Sequence, residues 1–153
     1  MNLLISAREV IAIAFGPEDQ IDDRVVNDFK IEAAQAKFIA PALGGLYFVC
    51  REVRYHDFLQ HFVKPALAYF VKYGILPDLQ LKAGNAGIVH NHTAQSASAS
   101  DRQAVMLRRE ALNVGNTLLR KAIEHIEASP ETFPEYDSDK RLHRRIFSGG
   151  IIL

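Results

Sequence analysis

The chain has 153 residues, 48% hydrophobic and 24% charged, an ordinary globular composition that excludes disorder throughout. Eighteen basic side chains balance eighteen acidic ones, so net charge drives the protein neither onto nucleic acid nor onto an acidic membrane. The length fits one domain able to bury a proper core, and no apolar run approaches the ~18 residues of a membrane span.

The first segment, "MNLLISAREVIAIAFG", carries Arg8 and Glu9 and has neither a basic n-region nor a small-residue cleavage site, so it reads as no signal peptide. Ser6 with Glu9 three residues on forms a capping box for a short helix that Gly16-Pro17 ends. A second helix is expected from about Ile21. Ile21, Val25, Phe29, Ala33, Ala36 and Ala40 recur at three and four as one apolar stripe. Asp22 and Asp23 suit the positive end of its dipole. Pro41 breaks or restarts it, and Gly44-Gly45 allows a tight bend.

Leu46–Val53 is apolar enough to be buried but too short to classify by period. It contains the single cysteine, Cys50, within "GLYFVC". A lone thiol there reads as a small core hydrophobe and fits a reducing compartment. A third helix is expected from about Tyr55 to Tyr73, kinked at Pro65 and capped by Gly74, with Pro77 beyond. "KFIAPALGG" and "HFVKPALAY" echo one another at an offset of 24 residues. One short match is not a repeat, and both read as helix segments bent at proline.

After Pro77 the pattern changes. "LQLKAG" and "GIVHNH" alternate loosely around Gly-Asn-Ala-Gly, which predicts a short β-hairpin or extended arm over about 79–92. Residues 94–99 read as a flexible link of small residues, and Ser100 with Gln103 as a further capping box. The longest helix follows from about Asp101 to Ala128. Val105, Leu112, Leu119 and Ile126 recur every seven residues along it, and Ser129-Pro130 ends it. An acidic-then-basic tail finishes in "GGIIL", expected as an extended strand that docks on its own domain or adds to a neighbour's sheet. The predicted fold is thus mainly α. A bundle of about four helices forms a single domain over 1–130 with an arm inserted at 79–99, and 131–153 is a C-terminal tail.

Candidate chemistry is sparse. His90 and His92 share one face of a strand and are the candidate metal ligands, but a site needs a third and usually a fourth donor. "GNAGIV" lacks the Lys-Ser/Thr of a phosphate loop and opens onto no helix. Asp137 and Asp139 lack the Gly and distal Glu of a calcium loop. His143, Arg144 and Arg145 stand without the interleaved aromatics of a base-stacking platform. No nucleophile elbow or Cys/His pairing occurs. The expectation is therefore a protein that is no enzyme and needs no cofactor. Its subunit-contact candidates are Gly84, Asn85, Gly87, Ile88, Val89, His90 and His92 in the arm, with Gly149, Gly150, Ile151, Ile152 and Leu153 in the tail.

The order of these segments resembles a known family. A short helix is followed by an acidic-decorated one ending "FIAPALGG", then "FVKPALAYFVKYG", the "KAGNAGIVHNH" arm, "SASASD" opening a long helix, and a Tyr-containing acidic tail. It is similar to the head–tail connector, or head-completion, proteins of tailed phages and prophages of Bacteroides-type bacteria. That resemblance spans nearly the whole chain and rests on packing and turn motifs. It implies a helical subunit of a homo-oligomeric ring in the virion, assembled in the host cytoplasm. The ring would contact portal and other neck or tail proteins and pass DNA as non-specific cargo. It carries over no catalytic residue. Two other readings stay open on the residues alone: a cytoplasmic helical adaptor or regulator acting as a dimer, and a small metal-dependent enzyme using His90 and His92.

Overall fold

A computed structural model describes residues 2–85 and 94–137, with side-chain surroundings over 2–79 and 101–137. The described residues are mainly helical and contain no strand. Helix α1 (Ala7–Ala14) begins at the expected capping box: Glu9 N–H donates to Ser6 Oγ, and Ser6 N–H donates back to the Glu9 carboxylate. A 3₁₀ turn (Asp23–Val25), capped by Asp22, leads into α2 (Asp28–Ala34), which Asn27 caps through the Lys30 N–H.

The stripe expected from Ile21 is corrected here. Phe29, Ala33 and Ala36 are exposed, whereas Ile31, Ala34, Ile39, Ala42 and Leu43 are buried. The helix takes its phase from the Asn27 cap, not from Ile21. A π turn (Gln35–Ile39) then adds a wide step before α3 (Ala40–Leu43). Gln35 lies in that turn at 2% exposure with its amide fully employed. Its Oε1 accepts from Leu4 N–H at 2.6 Å, and its Nε2 donates to Asn2 O and to the Tyr47 hydroxyl.

Gly44 turns the chain at φ 56°, in the left-handed region that favours glycine. Helix α4 (Leu46–Val49) and a 3₁₀ turn (Val53–Tyr55) follow. Next comes one continuous helical run: α5 (His56–Phe58), a second π turn (Leu59–Val63) and α6 (Lys64–Asn85). The internal echo now has a physical meaning. Both π turns stand immediately before the echoed prolines, Pro41 and Pro65, and share their 24-residue offset. A proline inside a helix offers no N–H and crowds the carbonyl four residues back. At both sites the chain widens instead. Ala40 N–H donates to Gln35 O and Lys64 N–H to Leu59 O, five residues back, so the ring is accommodated without a break.

Two further expectations are overturned in α6. Gly74 caps nothing and Pro77 stops nothing, because the helix continues to Asn85. The carbonyl that Pro77 leaves unpaired, Tyr73 O, accepts instead from Arg108 Nε at 3.4 Å, and the guanidinium stacks on the Tyr73 ring. "LQLKAG" is accordingly helical, not a strand of a hairpin. Residues 94–99 are helical as well: α7 runs from Ala94 to Ala128, so Ser100 is an interior residue and not a cap. The expected turn region 86–93 and the expected terminal strand lie outside the described residues. The predicted stop at Ser129-Pro130 is observed.

Helix α6 is the central element. Ala66, Leu67, Ala68, Phe70, Val71 and Ile75 are all buried, which is burial nearly all round and explains why no stripe is legible in it. It packs against α1, α2 and α7. On α7, Ala111, Leu119, Ala122, Ile123 and Ile126 face the core. Gly115 lets that helix approach: a Cβ there would lie 2.8 Å from the Phe70 ring. The ring is also stacked on Phe38 at 4.1 Å. After α7, Phe133 returns to the core at 3% exposure.

Cys50 is wholly buried and donates to Tyr47 O at 3.2 Å, and burial pushes its thiol pKa up. An aromatic disulfide reagent should therefore leave the native protein unlabelled and modify the one thiol only on unfolding. Rapid labelling of the folded chain would show that α4 opens readily.

Candidate functional site

The predicted contact residues divide by position. Gly84 and Asn85 lie in the last turn of α6. Gly87, Ile88, Val89, His90 and His92, and the terminal Gly149, Gly150, Ile151, Ile152 and Leu153, fall outside the described residues. The remaining histidines bring no third donor together: no group of three His, Cys, Asp or Glu side chains able to hold a metal occurs among the described residues. None of the helices among them is long and apolar enough to cross a membrane.

The surface presents a different set. Phe48 is 84% exposed and Val53 92%, Phe29 72%, and Val105, Met106 and Leu107 on α7 are 59, 70 and 52% exposed. Isolated exposed apolar side chains are ordinary, but Val105, Met106 and Leu107 are consecutive. Their levels along the bundle follow from cross-contacts. Lys30 pairs with Asp78 at 2.9 Å, Phe38 stacks on Phe70, Arg108 meets Tyr73, and Phe62 stacks on His125 at 4.3 Å. Both α2 and α7 therefore run antiparallel to α6. Phe29 lies at the level of Asp78, and Val105–Leu107 lie just past the level of Tyr73. Val53 adjoins Arg54 and Tyr55, which meet Glu135 at the opposite end, and Phe48 is set edge-on to Tyr47, whose hydroxyl reaches Gln35. Residues 58 and 78 of the continuous helix are about 30 Å apart at 1.5 Å per residue.

One signal for these residues was present in the sequence. Three consecutive apolar residues on one helix step about 100° each around its axis and cannot all face inward. Val105 extends the line of Leu112, Leu119 and Ile126 beyond the elements that cover it. Phe48 and Val53 were concealed because the whole segment Leu46–Val53 reads as core, while only Leu46 and Cys50 are fully buried in it.

The end that carries Val53, Arg54 and Tyr55 is held together by the residues after α7. Glu135 accepts from the Tyr55 hydroxyl and from Arg54 Nη2, and Arg54 Nε also donates to Glu52 at 2.6 Å. The Glu135 carbonyl sits so close that a Cβ on Gly45 would lie 2.6 Å from it. Beneath this polar clamp, Phe133 packs on Tyr55, Phe58 and His125.

Burial, and then the neighbouring Glu135 carboxylate, push the Tyr55 phenol up to about 12, while the hydroxyl's hydrogen bond holds Glu135 below the ordinary glutamate range. Because the Tyr55 value is raised on folding, its contribution to stability is complete below the ordinary phenol value of 10.0 and is lost as pH rises towards about 12. Ultraviolet titration of phenolate should show one step near pH 12 that the Tyr55→Phe variant lacks. Ionisation of every tyrosine below pH 11 would contradict the clamp.

No curated protein and no solved structure matches the chain. Residues 24–146 match a family of unknown function, DUF6712, a span that covers every helix from α2 to α7. The chain belongs to that family of unknown function.

Proposed function

We propose that this protein is a non-enzymatic structural subunit of a phage head–tail connector: it assembles into a ring between the portal and the neck or tail proteins and surrounds the DNA path in the virion. The observation that carries this reading is the exposure of large apolar side chains on a well-packed helical body, together with the order of segments that resembles connector subunits. Surfaces of this kind serve protein contacts, where aromatic, Met and Arg side chains are enriched. Balanced charge suits a channel that passes DNA without gripping it. Native mass spectrometry, alone and with a tailed-phage portal protein, tests it. A closed oligomer of one stoichiometry supports a ring, whereas a two-fold dimer that ignores portal protein supports the adaptor reading instead.

A further inference from the structure

We propose that the outward face of α7 is the docking site of the chain's own C-terminal segment, residues 138–153. The segment's basic stretch lies on the Glu124–Glu131 end, and its Ile151–Leu153 finish covers Val105–Leu107. This inference concerns a single chain and stands apart from the connector reading.

Three observations select this segment as the occupant. The first is the face itself. Met106 and Glu124 are eighteen residues apart, five full turns, so they stand on one line of the helix about 27 Å long. Both are exposed, whereas Ala111, Leu119, Ala122 and Ile126 point into the core. The second is the order of charge. From Ala122 to Asp139 the sequence has Glu124, Glu127, Glu131, Glu135, Asp137 and Asp139 and neither Lys nor Arg. Glu124, Glu127 and Glu131 are exposed, and Glu124 meets Arg120 only at 4.0 Å. Lys140, Arg141, Arg144 and Arg145 follow at once, with His143 among them, and no charged side chain comes after Arg145. The face changes in the same order. Beyond its acidic end come Lys121, Arg120, Glu110 and Arg109, and then Val105–Leu107 with Arg102, Arg108 and Asp101 around them. The uncharged part of the segment passes those arginines, so no run of like charge is opposed there. Ion pairs at the acidic end set the register, and burial of apolar side chains at the far end supplies most of the affinity.

The third observation is reach. Phe133 packs on His125, so the chain leaves α7 at the level of Glu124. Seven residues from Asp137 to Arg144 span up to about 23 Å, enough to bring that arginine back to Glu124. Eight more to Ile152 span up to about 26–29 Å, the distance from Glu124 to Met106. The tether also favours this occupant over the same segment of a second copy, because it holds the segment near the face at an effective concentration on the order of millimolar.

The test uses the full chain with a cysteine pair, Met106→Cys with Ile152→Cys. Cys50 is wholly buried and stays out of the reaction. The comparison pair is Val53→Cys with Ile152→Cys. Val53 is 92% exposed beside Arg54, which meets Glu135 close to where the segment begins. An undocked segment would therefore reach position 53 at least as readily as 106. Under mild oxidation the first pair should close within one chain on the order of tenfold faster than the second. Adding Arg144→Glu to the first pair should slow closure by about threefold, and adding Glu124→Lys as well should restore it. Equal rates at 106 and 53 would overturn the docking site. Disulfides that form only between chains would give the face to a second copy and overturn the proposal too. Closure indifferent to both charge reversals would overturn the assigned register.

Discussion

Gly115→Val should destabilise the protein by about 2–3 kcal/mol, read as a lower denaturant midpoint with an unchanged slope. The reason is the position of Phe70. Its ring is 1% exposed and held between Phe38, stacked at 4.1 Å, and the backbone of α7 at Gly115. A Cβ at 115 would come to 2.8 Å from that ring, and the two γ-methyls of valine reach further still. Neither the ring nor the long helix can yield without disturbing the α6–α7 contact. Valine also lacks the helix-propensity gain of about 1 kcal/mol that alanine would bring over glycine. Phe70→Ala removes the ring itself and should cost about 3–5 kcal/mol, the usual range for emptying an aromatic core site. Combining Gly115→Val with Phe70→Leu should recover part of the loss, a coupling expected only of residues in contact. Additive effects in that double mutant would show that the two helices do not meet here.

Glu9→Gln should cost about 1–3 kcal/mol, because it leaves the Lys64 ammonium nearly buried and without its counter-charge. Lys64 is 9% exposed, and its Nζ donates to Glu9 Oε1 at 2.6 Å. Removing one partner of a buried pair typically costs about 3–5 kcal/mol. The Glu9 side chain is 40% exposed, so solvent screens part of that cost. Glutamine keeps an oxygen for the Ser6 capping box, so the variant isolates the charge. Lys64→Met removes the charge instead of orphaning it and should fall within about 1 kcal/mol of the parent.

The pH dependence follows the same pair. Burial works against ionising Glu9, but the Lys64 ammonium and the Ser6 donors outweigh it and hold its carboxyl below the ordinary range. A lowered folded-state value means that the pair's stabilisation is present above the ordinary glutamate value of 4.5 and is lost as pH falls below it. Chemical unfolding of the parent and of Glu9→Gln should therefore converge as the pH is lowered from 6 to 3. A gap between them that stays constant would contradict the pairing.

The parts of the fold governed by local chemistry were legible in the sequence. Ser6 with Glu9 marked the start of α1, and Ser129-Pro130 marked the end of α7, because caps and prolines act within a few residues. The misreadings share a different cause. Gly74, Pro77 and the serines of 94–100 are weak helix formers, and "LQLKAG" was read by its alternation, yet the chain is helical at each. Propensity is a weak prior, and the leucines, glutamine, lysine and alanine of "LQLKAG" are themselves good helix formers; at Pro77 the freed carbonyl finds Arg108. The π turns at Gln35–Ile39 and Leu59–Val63 shift the helical phase by a fraction of a turn. No periodicity argument that assumes 3.6 residues per turn can follow a stripe across them. The echoed Pro-Ala-Leu segments were visible, but their meaning required the backbone. The exposed apolar side chains were the least legible feature, since an exposed phenylalanine and a buried one look alike in sequence.

The central claim is that this helical body is a ring-forming subunit on the DNA path. Electron microscopy of the purified full chain, alone and incubated with portal protein, tests it most directly. Annular particles of uniform subunit number, with a central opening wide enough for duplex DNA, are the expected result. Compact two-fold dimers, or single subunits that show no annular form even on the portal, would contradict it.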